Sequence, residues 1–354
     1  MTYRVIQWST GNVGRHALRL VANHPELELV GLWVHGADKA GRDAADLGGF
    51  SPATGVLATN DADALLALDA DCVCYTATAD LRPGEAMKDL ERILASGKNV
   101  VSSSVVPLVF PPHVDAGLRQ PLEDACTAAG VSCFTSGIDP GWANDLLPFV
   151  LTGNCEYIES VRMMEIVNYA TYAQPEVLFE TMGFGKSLDA TPLLLLPGVL
   201  SFAWGGVVKV IAAGLGVEIE ELREVHERRP AEERIDLGFG VIEAGTSAAM
   251  RFELQGIVGG EPRIILEHVT RLADDLAPEW PQPVGHSGYR VVVTGNPNYT
   301  CDVQMMGDDG DHNTAGLVGT AARLVNSIPA VCAAPAGLLS VLDLPLITGV
   351  GLMR

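Results

Sequence analysis

Four groups of residues have types and spacings suited to chemistry. The first is Gly11-Asn12-Val13-Gly14-Arg15, directly behind an apolar strand over 3–8. Its glycines let the backbone approach a pyrophosphate, and the helix opening at Val13 offers free N–H groups and a positive end. The second is His35, Lys39 and Arg42, after a second strand over 28–34. No acidic residue ends that strand to take a ribose 2′-OH, whereas Lys39 and Arg42 can pair with a 2′-phosphate or simply form a solvated loop. The third is Thr76 and Thr78, then Ser102 and Ser103, closing the apolar runs 71–78 and 99–102 at the strand ends where ligands of open α/β sheets bind. Val105 and Val106 follow as a dry wall. The fourth is scattered: Asp139, Tyr169, Tyr172 and His268. Asp139 is held extended by Pro140 and is the candidate catalytic acid or substrate anchor, with a turn or capping role as the alternative. The two tyrosines and His268 are candidates for lining a substrate pocket, or for packing.

The elements that must position these residues alternate as βαβ units. Helices are expected over 13–23, 61–68, 83–96 and 115–129, with Pro83 in a first turn and Gly97 at a stop. Short strands are expected over 56–59, 71–78, 99–102 and 131–135. This is a Rossmann doubly wound parallel sheet that seats a nicotinamide dinucleotide, NADP or NAD. From about 156 the pattern changes to longer strand-like runs over 157–169, 248–256, 263–272 and 289–306. The last three are joined by too little chain for helical crossovers, so an inserted α+β domain with an open, mostly antiparallel sheet is expected. One face of it should hold substrate and the other can pair with a second subunit. A helix over 313–328 carries Asn326 back to the dinucleotide-binding domain as a further cofactor-binding candidate. The expected domains are 1–145 with 310–354, and 146–309.

Composition limits the partners. The 44 acidic residues outnumber 23 basic ones for a net charge of −21, with no long basic run, which disfavours nucleic acid and anionic membrane surfaces and leaves a small-molecule substrate. The uncharged stretch 190–208 approaches the length of a membrane span, but Pro192, Pro197 and Gly205-Gly206 break it, so a buried helix or an interface is expected. A strand begins within three residues of Met1, without a signal-peptide pattern, and a cytoplasmic enzyme is expected. The seven cysteines have no metal-ligand spacing; they are expected to be mostly reduced core residues, and no metal is expected.

Three motifs taken in order, Trp8-Ser-Thr-Gly-Asn-Val-Gly14, Gly137-Ile-Asp-Pro-Gly141 and Ala322-Arg-Leu-Val-Asn-Ser-Ile-Pro329, resemble the 2,4-diaminopentanoate dehydrogenase and native amine dehydrogenase family, itself similar in fold to dihydrodipicolinate reductase. The resemblance implies a homodimer and NAD(P)-linked interconversion of an amine with a ketone or aldehyde plus ammonia. It also implies a glutamate just beyond the strand 99–102, where this chain has Ser104-Val-Val-Pro-Leu-Val-Phe110 and no carboxylate. Imine chemistry needs an acid or base. Asp139, Glu165 or His268 must then take over. Otherwise the chain is a dinucleotide-binding sensor, or a reductase of a different carbonyl or imine.

Overall fold

The computed structural model describes residues 2–79 and 82–353. The chain divides into two compact units, 1–138 with 317–354, and 139–316. Residues 139–145, which the sequence-based boundary assigns to the first domain, fall in the second unit, because Asp139 bonds to side chains there.

In the first unit β1 (Tyr3–Trp8), β2 (Leu27–Trp33), β3 (Cys72–Tyr75), β4 (Asn99–Ser102) and β5 (Ser132–Thr135) pair in parallel, with β1 between β2 and β3. The sixth strand is Gly337–Leu339 beside β5, from the C-terminal tail. Residues 56–59, expected as a strand, make only isolated bridges to Trp33 and Asp43. Buried on both faces, these strands read as continuous apolar runs. On one face α1 (Asn12–Asn23) and the C-terminal helix pack through Ala17, Val21, Leu324 and Ile328 over Val5, Cys72 and Cys74. On the other α2 (Pro83–Ala95) and α3 (Ala116–Ala129) pack through Leu90, Ile93 and Leu122 over Ile6, Val73 and Val100. That is the doubly wound arrangement.

The second unit holds α4 (Leu146–Thr152), β6 (Tyr157–Asn168), α5 (Val199–Leu215), β7 (Glu221–Pro230), β8 (Ser247–Val258), β9 (Glu261–Arg271), β10 (Gly288–Asn296) and β11 (Tyr299–Val303). Its six-stranded sheet runs β11-β10-β6-β9-β8-β7, with only β6 and β9 parallel. The run expected as a single strand over 289–306 is a hairpin, since Asn296-Pro297-Asn298 turns the chain. The uncharged stretch supplies α5, which lies against β7, β8 and β9 and buries Val207, Val208 and Ile211. Gly216, in the left-handed conformation at φ 68°, ends it. Finally α6 (His312–Ala333) runs into the first unit from residue 317. It is long and apolar enough to cross a bilayer, but there its apolar face belongs to the sheet core.

Candidate active site

The glycine turn is built for an anion. α1 starts at Gly11 with no side-chain cap, so the N–H groups of its first turn lack intrahelical acceptors. Gly14 sits where a Cβ would lie 2.4 Å from Ser9 O and 2.7 Å from Thr76 Oγ1. Ser9 itself has φ 84°, a left-handed conformation that L residues rarely adopt. These residues fit the pyrophosphate of a nicotinamide dinucleotide. Asn12 and Arg15 are exposed beside the turn and Val13 is half-buried against the core.

The hydroxyls named from the sequence divide. Thr76 donates to Trp8 O at 3.0 Å and accepts from Gln7 Nε2 at 2.8 Å. Ser102 is buried and accepts from Ser104 N at 2.9 Å. Both are engaged in holding strand ends. Thr78 is exposed and Ser103 half-buried. Thr135 Oγ1, at the end of β5, is buried without a partner among the described residues; nothing in the sequence singled it out. Beyond β4, Val105 has φ 55°, unusual for a β-branched residue, and Val106 opens a 3-10 turn. Past β2, His35 and Arg42 are exposed, and Lys39 Nζ reaches Thr10 Oγ1 at 3.2 Å. Asn326 is half-buried on α6.

In the second unit, strand register does what sequence spacing cannot show. Directly opposed residues form one row on the face covered by α5: Phe252 on β8, His268 on β9, Glu165 on β6 and Tyr289 on β10. The His268 ring is held between Phe252, stacked at 4.6 Å and 18°, and the edge of Trp204 from α5 at 4.9 Å. Each ring nitrogen then faces a carboxylate. Nδ1 is 3.3 Å from Glu165 Oε2. Nε2 is 3.0 Å from Asp139 Oδ2, as an ion pair rather than an aligned hydrogen bond. Trp204 Nε1 donates to Asp139 Oδ1 at 2.9 Å, and Tyr169 Oη donates to Glu165 Oε1 at 3.2 Å. Tyr172 stacks on Tyr169 at 4.6 Å. The three ionisable side chains are 4, 8 and 7 % exposed for Asp139, Glu165 and His268.

Burial sets the electrostatics. Loss of water pushes the Glu165 carboxyl up to about 7; Asp139 adds to the rise, while His268 and the Tyr169 hydroxyl oppose it. Burial works against the charge of His268, but Asp139 and then Glu165 outweigh it, and its pKa is raised. The phenols of Tyr169 and Tyr289 are raised well above the usual value by burial and by the charge of Glu165. The three side chains have donor types that metals accept, with donor atoms within 4.8 Å of one another. Because the carboxylates oppose different nitrogens of one ring, they are arranged as a charge relay rather than around a common centre. The capping role considered for Asp139 belongs instead to Asp145, which accepts from Leu146 N.

Comparison with known proteins agrees with this architecture. Residues 142–353 match the family described as the 2,4-diaminopentanoate dehydrogenase C-terminal domain. Over 350 residues the chain is 42 % identical to an amine dehydrogenase of Streptomyces virginiae, covering 98 % of this chain and 97 % of the relative. The chain belongs to the 2,4-diaminopentanoate and amine dehydrogenase family. It is therefore an NAD(P)-dependent oxidoreductase acting on a small molecule. The fold is shared with an amine dehydrogenase from Mycobacterium smegmatis, at 18 % identity and TM-score 0.78 over 98 % of this chain and 97 % of that one. It is also shared with a scyllo-inositol dehydrogenase from Lactobacillus casei holding NAD(H) and scyllo-inositol, at 16 % identity and TM-score 0.58 over 93 % and 89 %.

Proposed function

We propose that the chain interconverts a small primary amine with a ketone or aldehyde plus ammonia. The observation that carries this is a buried carboxyl, Glu165, 3.3 Å from a ring nitrogen of buried His268, where loss of water pushes its proton affinity up to about 7. Reductive amination consumes one carbonyl, one ammonium, one reduced nicotinamide and one proton, and releases the protonated amine, water and the oxidised nicotinamide. The bound nicotinamide supplies the hydride. The protein must move protons: Glu165 accepts one from ammonium to free the nucleophile, then returns one to the carbinolamine hydroxyl as water leaves. An acid with a pKa near the working pH does both. Tyr169, Tyr172 and His268 line the site around Glu165.

The same reading extends to cofactor choice, assembly and location. Asp43, the second acid after β2, accepts from Ala45 N, Thr54 N, Thr54 Oγ1 and Gly55 N, which commits its carboxylate. No acid stands at the end of β2 itself, and Lys39, Arg42 and His35 favour acceptance of NADP. The face of the second sheet opposite α5 carries Arg162, Arg251, Glu253 and Glu267 in an alternating lattice, with Arg251 2.7 Å from both glutamates. Such a lattice is complementary to a second copy of itself, which supports a homodimer. Free, mostly buried cysteines are consistent with a cytoplasmic enzyme.

The test is NADPH oxidation with small ketones, with and without ammonium. Ammonium-dependent turnover is expected, with kcat lowered by about 10²–10⁴ in Glu165→Gln. Reduction of the ketone to its alcohol at the same rate without ammonium would refute the reading.

A further inference from the structure

Histidine is the usual choice for an exchanging acid at neutral pH. The geometry around His268 argues otherwise. A neutral imidazole carries one N–H and one lone pair. Whenever Glu165 is ionised, either tautomer would aim a lone pair at a carboxylate, because Asp139 stands 3.0 Å from one nitrogen and Glu165 3.3 Å from the other. The ring cannot rotate out of this position, since Phe252 lies flat on it and Trp204 closes its other side. Trp204 also fixes Asp139 through its indole N–H, so the carboxylate opposing Nε2 stays in place.

We infer that His268 is a permanent cation that positions and charges the site, and that the proton exchanged with substrate resides on Glu165. This deepens the amine reading and rests on it for the identity of the substrate. With Asp139 facing Nε2 and the ring charged, the cluster gains or loses its next proton at Glu165. Taking that proton from His268 instead would leave two buried carboxylates around a neutral ring. Glu165 has the geometry for exchange, since Oε1 is held by a phenol on a turn rather than by a second cation.

The other groups packed around the ring do not alter this assignment. α5 contributes Trp204, with Lys209 as its first charged residue. β10 contributes the phenol of Tyr289, and the turn after β6 those of Tyr169 and Tyr172. β7 contributes His226, exposed and opposite Phe252, and Glu224, held by Gly198 N and Ser201 N. Glu267, adjacent on β9, is paired with Arg251 and favours a charged His268.

Glu165 is therefore the catalytic residue, while His268, Asp139 and Trp204 are positioning residues. The deciding measurement is NMR of the intact protein labelled with ¹⁵N-histidine, with the His268 signal assigned by its loss in His268→Asn. Both ring nitrogens are expected to keep protonated shifts as pH rises through and past the ordinary histidine value of about 6.5. In parallel, the kcat profile should show a limb near pH 7 that disappears in Glu165→Gln. In His268→Asn the limb should move up by about 1 to 3 pH units rather than vanish, because an opposing charge has been removed. Loss of a His268 ring proton near pH 7, or a limb that survives Glu165→Gln, overturns the assignment. The NMR titration of the unmutated protein decides the matter even where a variant fails to fold. Absence of ammonium-dependent turnover would refute the amine reading while leaving the proton assignment to stand or fall on the titration.

Discussion

Adding one methyl group at Gly14 gives the sharpest test of the dinucleotide seat. In Gly14→Ala the new Cβ would sit 2.4 Å from Ser9 O, 2.9 Å from Ser9 C and 2.7 Å from Thr76 Oγ1. None of these neighbours can yield cheaply. Ser9 N is bonded to Trp33 O at 2.9 Å, and the Thr76 hydroxyl is fixed between Trp8 O and Gln7 Nε2. The first turn of α1 must therefore retreat from β1, taking with it the N–H groups that meet the pyrophosphate. Overpacking of this kind costs about 1–3 kcal/mol. If all of it falls on the bound state, affinity drops by roughly 5- to 150-fold, at tenfold per 1.4 kcal/mol.

Gly11→Ala is the matched control. Its Cβ would meet only Ser9 Oγ, at 3.9 Å, an ordinary contact. Folding stability should therefore change by less than about 0.5 kcal/mol. The assay is fluorescence titration with NADPH and NADH, paired with thermal melts that separate a displaced helix from a destabilised unit. Wild-type affinity and Tm in Gly14→Ala would refute the packing argument outright.

Cofactor choice is tested by Lys39→Ala and Arg42→Ala, each expected to weaken NADPH about tenfold and leave NADH nearly unchanged, as for loss of a charged hydrogen bond; equal losses for both cofactors in titrations would remove the 2′-phosphate assignment. The Asp43 carboxyl is held at about 2 by the Thr54 and Ala45 N–H groups first, then by Gly55 N–H and the Thr54 hydroxyl. Its contribution to stability is present above the unfolded value and lost as pH falls through about 2, so Asp43→Asn should melt below the wild type at neutral pH and converge with it in strong acid. Glu165 has the opposite sign. Burial raises it to about 7, so the stability tied to its proton is full below the unfolded carboxylate value and is lost as pH rises through about 7. Glu165→Gln should accordingly gain in Tm relative to the wild type as scans move from about pH 5 to about pH 8, and a constant difference would contradict the raised carboxyl.

What the sequence made legible follows from how far apart the cooperating residues lie. The anion seat is read from consecutive residues, Gly11 to Arg15, because a strand, a turn and a helix start need nothing beyond their own neighbours. The doubly wound sheet is legible for the same reason, apart from its two edges: the tail strand Gly337–Leu339 pairs with β5 at one, and 56–59, expected as a strand, only bridges Trp33 of β2 at the other. Hydroxyls at strand ends are ambiguous: Thr76 and Ser102 sit where ligands bind, but they are bonded inward, and that choice depends on Gln7 and Ser104, which no pattern links to them.

The acid–base cluster lies at the other extreme. Asp139, Glu165, Trp204 and His268 come from a turn, two strands and a helix, and the parallel pairing of β6 with β9 that sets Glu165 opposite His268 leaves no local mark. Residue type named Asp139, Glu165 and His268 as separate replacements for the carboxylate absent after β4. Proton affinity, however, is a property of burial and neighbours rather than of residue type. Once each ring nitrogen of one histidine is seen to face its own carboxylate, the three cease to be alternatives: in the proposed reaction the aspartate keeps the histidine charged, and the glutamate carries the proton that is exchanged.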